Sequence, residues 1–338
     1  MVPACPNRKD DDHCDNLQRL LTTYSIGGIL LKEGTQHSCK TFLKKLQSQI
    51  SLLRVGDAEW GTSMRVTDAV KFPRNLTLGA IQDLSLIAKF GRQVGRECRQ
   101  LGIDLNLAPV ADTNTNPLNP VIGTRSFGDD PERVALLVST VIQAMQDQDT
   151  FACAKHFPDH GSPSVDPHED LPEIHGFCLE PFRAAIQVGV RAILTGHLLV
   201  NTEIVTFSYN WVHALLRNQL KFRGLIITDA LNMKAISKYR EPGQAALDAL
   251  KAGHDLLLYG SHLPEEVDRI IELDVPQNIA RIVKAVQEGE YHLSLLDAHV
   301  LRIINIKKEL GQRLLVQPTS IATEEAKLLA QTLYDNAV

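Results

Sequence analysis

The chain has 338 residues, of which 44% are hydrophobic and 22% charged, so it has enough apolar material for one large α/β barrel or two small domains. Its formal net charge is −5 and it contains no basic run, which disfavours a nucleic-acid-binding protein. Aromatic residues make up only 5%, which disfavours a surface on which single-stranded bases stack.

The sequence predicts a protein of the cytoplasm that does not bind membranes. No stretch approaches the roughly 18 consecutive apolar residues that cross a bilayer. The polar, acidic start lacks the pattern of a signal peptide, in which a charged segment precedes an apolar one. The six cysteines are scattered without a CxxC pair, which is typical of reduced thiols in a cytosolic protein. The sequence does not indicate an oligomeric state.

Apolar runs of strand length alternate with amphipathic helical segments along the chain. The predicted strands cover 26–31, 52–57, 104–110, 151–157, 191–197, 224–230 and 254–260. These runs are rich in Ile, Leu and Val with little alternation, as in parallel strands that are covered on both faces. The clearest helical segments between them are 78–102, 131–147 and 243–253, the last ending at Gly253.

Repeated strand–helix units form either a doubly wound sheet or an eightfold barrel. Most of the runs end in a polar or charged residue, namely Asp57, His156, His197 and Asp229. In a barrel the carboxyl ends of the strands share one rim, where catalytic groups gather. The pattern therefore favours an α/β fold, a (β/α)8 TIM-type barrel over residues 1–310. Because only seven runs are evident, the first strand is expected to be missing or shortened.

The end of the chain is predicted to be helical from residue 262 onward. Residues 311–338 form a helical extension that either packs on the barrel or leads towards a further domain that this chain lacks. The sequence has no GxGxxG or Walker motif, so nothing supports a bound nucleotide.

A loop of unusual composition overlaps the end of the fourth run. Its sequence, KHFPDHGSPSVDPHEDLP at 155–172, contains three histidines and four acidic residues. The residues alone leave three interpretations open: a metal site, an acid/base pair or a solvated polar loop. The candidate zinc ligands are His156, His160, Asp166 and His168, although neither HExxH nor a cysteine pair supports a metal. In the second interpretation Asp166 orients His168 and raises its pKa, which makes it a better proton donor near neutral pH.

Other polar residues at the predicted strand ends also have two interpretations. Asp229 either points into a ligand site or caps a helix that begins with DALNMKAI. Asp57 and Glu59 stand next to Trp60, a combination found in sugar sites and in purely structural pairs. Arg125 lies in the loop after the third run and is a ligand-binding residue or a surface group. Their shared position at strand ends favours a common site.

Read in order, several long motifs resemble family 3 glycoside hydrolases of the NagZ-type β-N-acetylhexosaminidase branch. The resemblance covers roughly residues 15 to 310, and its most specific part is the loop, whose family form is KHFPGHG-D-T-x-x-D-S-H-x-x-L-P. The matching segments are YSIGGILL, GDAEWGTSMR, LGIDLNLAPVADTNTNP, IGTRSFGDDPERV, AKHFPDHGSPSVDPHEDLP, ILTGH and FRGLIITDALNMKAI.

The resemblance implies a (β/α)8 barrel that cleaves glycosides with retention of configuration, through a covalent intermediate. Asp229 would be the nucleophile, because it matches the attacking Asp of the family's SDDL-x-M segment. His168 would be the general acid/base and Asp166 its orienting partner. In this interpretation the loop carries acid/base chemistry, and the reaction needs neither a metal nor a cofactor.

The resemblance also implies the substrate. Lys155, His156, Arg125 and Asp57 match positions that hold the terminal N-acetylglucosamine, and peptidoglycan fragments (muropeptides) in a bacterial cytoplasm are the implied substrates. Three alternatives remain: a glycoside phosphorylase, a β-glucosidase of the same family and a catalytically inactive sugar-binding barrel. A phosphorylase is considered because a histidine acid/base carries no negative charge to repel phosphate.

The chain departs from the family pattern in the loop and near the nucleophile. GHGDT of the family is DHGSP here, with Asp159, Ser162 and Pro163 at the changed positions. Glycine often occupies positions of positive φ, so Asp159 predicts an altered loop geometry. The family's SDD is TDA, in which only Asp229 is retained, and its DQEGG is DAEWG.

Overall fold

A computed structural model describes residues 1–6, 11–46, 51–163, 166, 169–261, 263–311 and 320–337. Eight strands form one parallel sheet in which each strand pairs with the next along the chain. They are β1 (Val2–Ala4), β2 (Gly28–Leu31), β3 (Leu53–Gly56), β4 (Leu105–Asn106), β5 (Phe151–Phe157), β6 (Ala192–Thr195), β7 (Leu225–Ala230) and β8 (Leu256–Leu258). The seven predicted strands coincide with β2 to β8.

The sheet closes into a barrel between β8 and β1. The Met1 amino group donates a 2.6 Å hydrogen bond to the Leu257 carbonyl, and the Tyr259 N–H donates a 3.1 Å bond to the Met1 carbonyl. The predicted (β/α)8 fold is therefore confirmed. Its first strand is shortened to three residues but is present, and one of those residues is Pro3, which lacks the N–H of a strand donor. The segment is too short to show a strand pattern by itself.

Helices surround the barrel. Those of the described chain are α1 (Asp11–Thr23), α2 (Gln36–Lys45), α3 (Asn75–Ala80), α4 (Leu84–Leu101), α5 (Pro131–Gln146), α6 (Glu180–Gln187), α7 (Lys234–Ser237), α8 (Pro242–Ala252), α9 (Pro264–Arg269), α10 (Val275–Gln287), α11 (Leu293–Gly311) and α12 (Glu324–Asp335), with π-helical segments at Asn210–Gln219 and Ile270–Asp274. Two-residue strands at Glu173–Ile174, Leu199–Val200 and Glu203–Ile204 form a small separate sheet. No helix among the described residues is long and apolar enough to cross a membrane.

Local signals explain where the helices begin and end. The predicted helix 78–102 is interrupted, because the Asp83 carboxylate accepts the Ser85 N–H at 2.8 Å and starts α4 anew. The predicted end of α8 is confirmed, since Gly253 has a φ of +119°, a left-handed conformation that suits glycine.

Leucines from alternate strands form a layer inside the barrel. Leu30 of β2, Leu107 after β4, Leu194 of β6 and Leu258 of β8 are all buried and form the apolar floor of a cavity. Layers of this kind fill a barrel of eight strands, and the active sites of such barrels lie above them, at the carboxyl ends of the strands.

The predicted helical character of residues 262–338 is confirmed for most of the described positions, which belong to α9 to α12 and the π-helical segment Ile270–Asp274. Ala326, Ala330 and Leu333 on α12 are buried, and Ile321 before it is buried as well. The helix therefore packs on the rest of the molecule, close to α4. The domain boundary near residue 310 and the further domain stay predictions.

Candidate active site

A cavity of about 500 Å³ opens at the carboxyl ends of the strands, above the leucine layer. Its wall combines apolar side chains with many charged ones. The charged and imidazole side chains that line it include Lys32, Asp57, Glu59, Arg65, Arg125, Lys155, His156, His160 and Asp229. The structure thus brings together five of the seven site residues predicted from the sequence, namely Asp57, Arg125, Lys155, His156 and Asp229.

Lys155, at the end of β5, connects two carboxylates from the loop after β3. Its ammonium lies 2.7 Å from Asp57 Oδ1 and 2.7 Å from Glu59 Oε1. The second oxygen of Asp57 accepts a 2.7 Å hydrogen bond from Arg65. Burial acts to raise the pKa of Asp57, but the charges of Lys155 and Arg65 outweigh it and hold that pKa well below its usual range. Both carboxylates are therefore ionised at neutral pH.

Arg125 completes this network of charges. Its guanidinium donates two hydrogen bonds to the buried Glu59 carboxylate, at 2.9 and 2.6 Å. The 3₁₀ turn Gly123–Arg125 is held in turn by Asn75 of α3, whose amide donates to the Arg125 carbonyl at 2.7 Å. The side chain of Arg125 is consequently fixed at the cavity wall, with one nitrogen 3.4 Å from His156 Nε2.

His156 is oriented by Asp112, a fully buried residue that the sequence analysis did not single out. Asp112 Oδ2 lies 2.7 Å from His156 Nδ1, and Oδ1 accepts the backbone N–H groups of His156 and His160 at 3.0 and 2.7 Å. The carboxylate therefore assigns the proton of the neutral ring to Nδ1 and leaves Nε2 facing the cavity. Burial acts to raise the pKa of Asp112, but the neighbouring imidazoles lower it.

Asp229 lies at the end of β7 and lines the same cavity. It is half-buried, and its Oδ1 accepts the N–H of the next residue, Ala230, at 2.8 Å. Burial acts to raise its pKa, but His197, His156 and the Ala230 N–H lower it below the usual range. The alternative role of Asp229 as a helix cap is wrong, because α7 begins only at Lys234 and Met233 occupies its cap position.

Two further histidines lie close to these groups. The sequence indicated His197 only as the end of a predicted strand and His160 only as a candidate zinc ligand. His197 after β6 is buried, with Nδ1 2.7 Å from Thr206 Oγ1 and Nε2 3.0 Å from the Ala230 carbonyl. It thus supports the backbone next to Asp229. His160 lines the cavity, meets His156 edge-on and has no hydrogen-bond partner for either ring nitrogen among the described residues. Burial and the neighbouring His156 lower the pKa of His160 to about 4, so it is neutral.

The changed loop position 159 is not strained. Asp159 does not have a positive φ, so that reason for an altered geometry was wrong. Its buried carboxylate instead accepts the backbone N–H groups of Thr113 and Gly161 at 3.0 Å each and of Cys178 at 2.9 Å. Burial and the neighbouring Asp112 raise its pKa to about 7. Asp159 therefore ties both ends of the loop to the segment after β4.

The predicted acid/base pair is only partly described. His168 lies outside the described residues, and the pairing of Asp166 with it stays a prediction. The Asp166 carbonyl accepts the N–H groups of Glu169 and Asp170 at 2.9 and 3.0 Å. Two side chains after β7 hold this turn, because Lys238 donates to the Glu169 carbonyl at 2.7 Å and Tyr239 donates to the Asp170 carboxylate at 3.0 Å.

The alternative zinc site has little support in the described part of the loop. There, no three His, Cys, Asp or Glu side chains converge in a metal-binding arrangement. His156 Nδ1, one of the candidate ligand atoms, already contacts Asp112.

Trp60, which the sequence placed beside Asp57 and Glu59 as a possible sugar-binding ring, does not line the cavity. The Arg74 guanidinium lies 3.7 Å from the centre of its ring.

Sequence reasoning missed Asp112, Arg65 and Lys32 as site residues. Arg65 and Asp112 lie within the motifs GDAEWGTSMR and LGIDLNLAPVADTNTNP. Membership in these motifs was the sequence feature that could have identified them as site residues. Lys32 follows β2 directly, so the rule that strand ends line the site would have found it.

Comparison with known proteins identifies the family of this chain. A model of the glycosyl hydrolase family 3 N terminal domain matches residues 9–306. Beta-hexosaminidase A of Pseudoalteromonas piscicida is 30% identical over 334 residues, which cover 88% of this chain and 55% of that protein. Beta-N-acetylglucosaminidase/beta-glucosidase of Cellulomonas fimi is 28% identical over 310 residues, which cover 85% and 53% respectively. The chain thus spans about half the length of these two relatives.

The solved structure of a glycoside hydrolase family 3 beta-N-acetylglucosaminidase from Paenibacillus sp. str. FPU-7 is similar over the whole fold. The two chains are 31% identical and superpose with a TM-score of 0.89, covering 100% of this chain and 67% of the other. The family match extends over most of the sequence, and the fold superposes over the whole chain. The chain therefore belongs to glycosyl hydrolase family 3.

Proposed function

We propose that this chain is a retaining β-N-acetylglucosaminidase that releases terminal N-acetylglucosamine. The observation that carries the proposal is Asp229, an ionised carboxylate at the end of β7 that faces a cavity lined with paired charges. A nucleophile needs a free electron pair directed at the reacting carbon. Among the described residues, Asp229 accepts a hydrogen bond only from the adjacent Ala230 N–H. The names of the related hexosaminidases support this activity.

The cavity wall suits one sugar ring. Asp57 and Glu59 present carboxylate oxygens that accept hydrogen bonds from hydroxyl groups, and Lys155 and Arg125 hold them in place. His156 offers Nε2, because Asp112 occupies Nδ1. These groups are fixed by their mutual ion pairs before the sugar binds, so little reorganisation is needed.

In the proposed first step Asp229 attacks the anomeric carbon, the glycosidic bond breaks, and His168 donates its proton to the departing oxygen. In the second step His168 takes a proton from water, whose oxygen attacks the same carbon and releases Asp229. Asp166 would orient the imidazole. Two displacements retain the configuration of the sugar.

The natural substrate is proposed to be a muropeptide. Muropeptides of a bacterial cytoplasm are suggested by the NagZ-type resemblance, and the cavity residues bear only on the terminal sugar. Hydrolysis of a muropeptide with release of N-acetylglucosamine, measured by chromatography, would support this substrate. Cleavage of a simple glycoside but not of the muropeptide would contradict it.

The activity is tested by release of 4-nitrophenol from its N-acetyl-β-glucosaminide, with and without added phosphate. A hydrolase turns over at the same rate in both conditions, whereas a phosphorylase forms sugar 1-phosphate. Asp229→Ala should abolish covalent labelling by a fluorinated N-acetylglucosamine analogue, as seen by intact-protein mass spectrometry. Absence of turnover by folded protein would indicate the inactive sugar-binding barrel instead, and faster cleavage of the β-glucoside would indicate a β-glucosidase.

A further inference from the structure

Lys32 is a buried cation that has no close counter-ion among the described residues. It follows β2 directly, is 8% exposed and lines the cavity above the leucine layer. Its ammonium makes no hydrogen bond or short ion pair with any residue that the structure describes. Lysine is almost never buried to this extent unless it is paired, because the loss of hydration of the ammonium is costly.

The neighbouring charges do not compensate Lys32. The closest carboxylate within the cavity is that of Asp57, whose two oxygens already bind Lys155 and Arg65 at 2.7 Å each. Arg65 is itself a cation, and its other carboxylate neighbour is the exposed Glu33 at 3.6 Å. Burial and the charge of Arg65 together lower the pKa of Lys32.

Cations also outnumber carboxylates among the described side chains that line the inner part of the cavity. Four cations line the inner cavity, Lys32, Arg65, Arg125 and Lys155, against three carboxylates, Asp57, Glu59 and Asp229. The remaining charged pair, Lys234 and Glu266, is exposed at the mouth and balances itself. Among the described side chains that line the inner cavity there is therefore one more cation than carboxylate. The next carboxylate, Asp112, lies behind the wall against His156 and not against Lys32. An anionic ligand next to Lys32 would offset its charge.

The position of Lys32 indicates which part of a ligand would reach it. The strand β2 is three strands away from β7 around the barrel, so Lys32 and Asp229 lie on different sides of the rim. The charges that act on Asp229 are those of His197, His156 and Lys155. Those that act on Lys32 are Arg65, Asp57, Cys5 and Glu33, and none is shared with Asp229. With an anomeric carbon at Asp229, Lys32 would face the opposite end of the same sugar.

We infer that Lys32 and Arg65 form an anion subsite that binds a phosphate or sulfate ester on the terminal sugar, at the end remote from the anomeric carbon. The placement rests on the proposed function, which puts the anomeric carbon at Asp229. A phosphate that attacked this carbon would have to lie beside Asp229, so the subsite does not serve phosphorolysis. The primary hydroxyl on carbon 6 is the natural position for the ester, because it extends beyond the ring.

The subsite is tested by isothermal titration with N-acetylglucosamine, its 6-phosphate, its 6-sulfate and inorganic phosphate alone. A charged hydrogen bond contributes about 10- to 100-fold in affinity. We therefore expect both esters to bind about 10- to 100-fold more tightly than the unmodified sugar. Lys32→Met, which keeps the apolar stem, should remove this ratio, and Lys32→Arg should retain most of it. Lys234→Met removes the same charge at the exposed mouth and should leave the ratio unchanged.

Equal affinity of the wild-type protein for the esters and for the unmodified sugar would overturn the inference, whatever the variants do. An equal effect of Lys234→Met would overturn it too, because the preference would then reflect diffuse charge. Binding of inorganic phosphate through Lys32 without any gain for the esters would show a site for a free anion. The titration does not depend on turnover, so failure of the nitrophenyl glycoside assay would refute the proposed activity separately.

Discussion

The ion pairs of Glu59 allow a quantitative test of how the cavity wall is held. Glu59 is 3% exposed, accepts two hydrogen bonds from Arg125 at 2.6 and 2.9 Å, and lies 2.7 Å from the Lys155 ammonium. Glu59→Gln preserves the shape of the side chain but removes the negative charge that these two cations share. The variant therefore leaves uncompensated positive charge in the wall of the cavity.

The size of the effect follows from burial and chain length. Removing one partner of a buried ion pair costs about 3–5 kcal/mol. An unfolding entropy of about 2.1 cal/mol/K per residue gives about 0.7 kcal/mol/K for the 338 residues. We therefore expect Glu59→Gln to lower the melting temperature by about 4–7 °C at neutral pH.

The effect should also depend on pH in a defined direction. Burial acts to raise the pKa of Glu59, but Arg125 and Lys155 outweigh it and lower the pKa from 4.5 to about 2. The stabilisation by the ionised carboxylate is fully present above pH 4.5 and is lost as the pH falls through about 2. The difference between wild type and variant should therefore shrink in that acidic range.

The assay is thermal unfolding followed by circular dichroism at one fixed scan rate. The matched control is Glu290→Gln, because Glu290 also pairs with two cations, Lys251 at 2.9 Å and Arg281 at 2.6 Å, but lies at the surface. Surface pairs contribute at most about 1 kcal/mol, so the control should lose less than about 1.5 °C. A loss for Glu59→Gln no larger than that of the control would refute the reasoning.

Three further changes test other contacts of the site. Gly161→Ala should lower the melting temperature by several degrees or prevent folding, because the new Cβ would overlap the backbone carbonyl oxygen of Thr113. An unchanged melting temperature would contradict this close contact. Tyr239→Phe removes the hydrogen bond to Asp170. It should reduce kcat/KM about two- to tenfold for glycosides with poor leaving groups and less for glycosides with good leaving groups. An equal loss across a series of aryl glycosides would show that this hydrogen bond does not position the acid/base loop. Burial and a neighbouring carboxylate raise the pKa of Asp159 from 3.8 to about 7, so its contribution to stability is present below pH 3.8 and is lost as the pH rises through about 7. In Asp159→Asn the melting temperature should therefore depend less on pH over that range, and parallel curves of melting temperature against pH for the two proteins would contradict this prediction.

The fold was largely predictable because its signals are local. Seven of the eight strands are continuous apolar runs, and Gly253 ends its helix by a conformation that glycine favours. The first strand was uncertain because three residues carry too little pattern. The interruption between Ala80 and Leu84 was missed because the apolar spacing continues across it, while the cap at Asp83 resets the helix.

The site was predictable only in part. Asp57, Lys155, His156 and Asp229 stand at strand ends, so the barrel rule places them on one rim. Asp112 was missed because its function depends on His156, 44 residues away, and a loop Asp has no distinctive local pattern. The effect of Asp159 was wrongly predicted because its carboxylate accepts three backbone N–H groups, two of which belong to Thr113 and Cys178 in other segments of the chain.

The sequence by itself thus determined the alternation of strands and helices and the residues that stand at the rim, because both follow from apolar periodicity within a few positions. Tertiary structure alone decided how the rim residues pair. Asp57 binds Lys155 across 98 positions and Glu59 binds Arg125 across 66, and these choices use up the carboxylates that Lys32 would otherwise share. Closure of the barrel through Met1 and Leu257, 256 positions apart, is likewise a property of the folded chain. Pairing over such separations depends on which strands become neighbours, and no local segment contains that information.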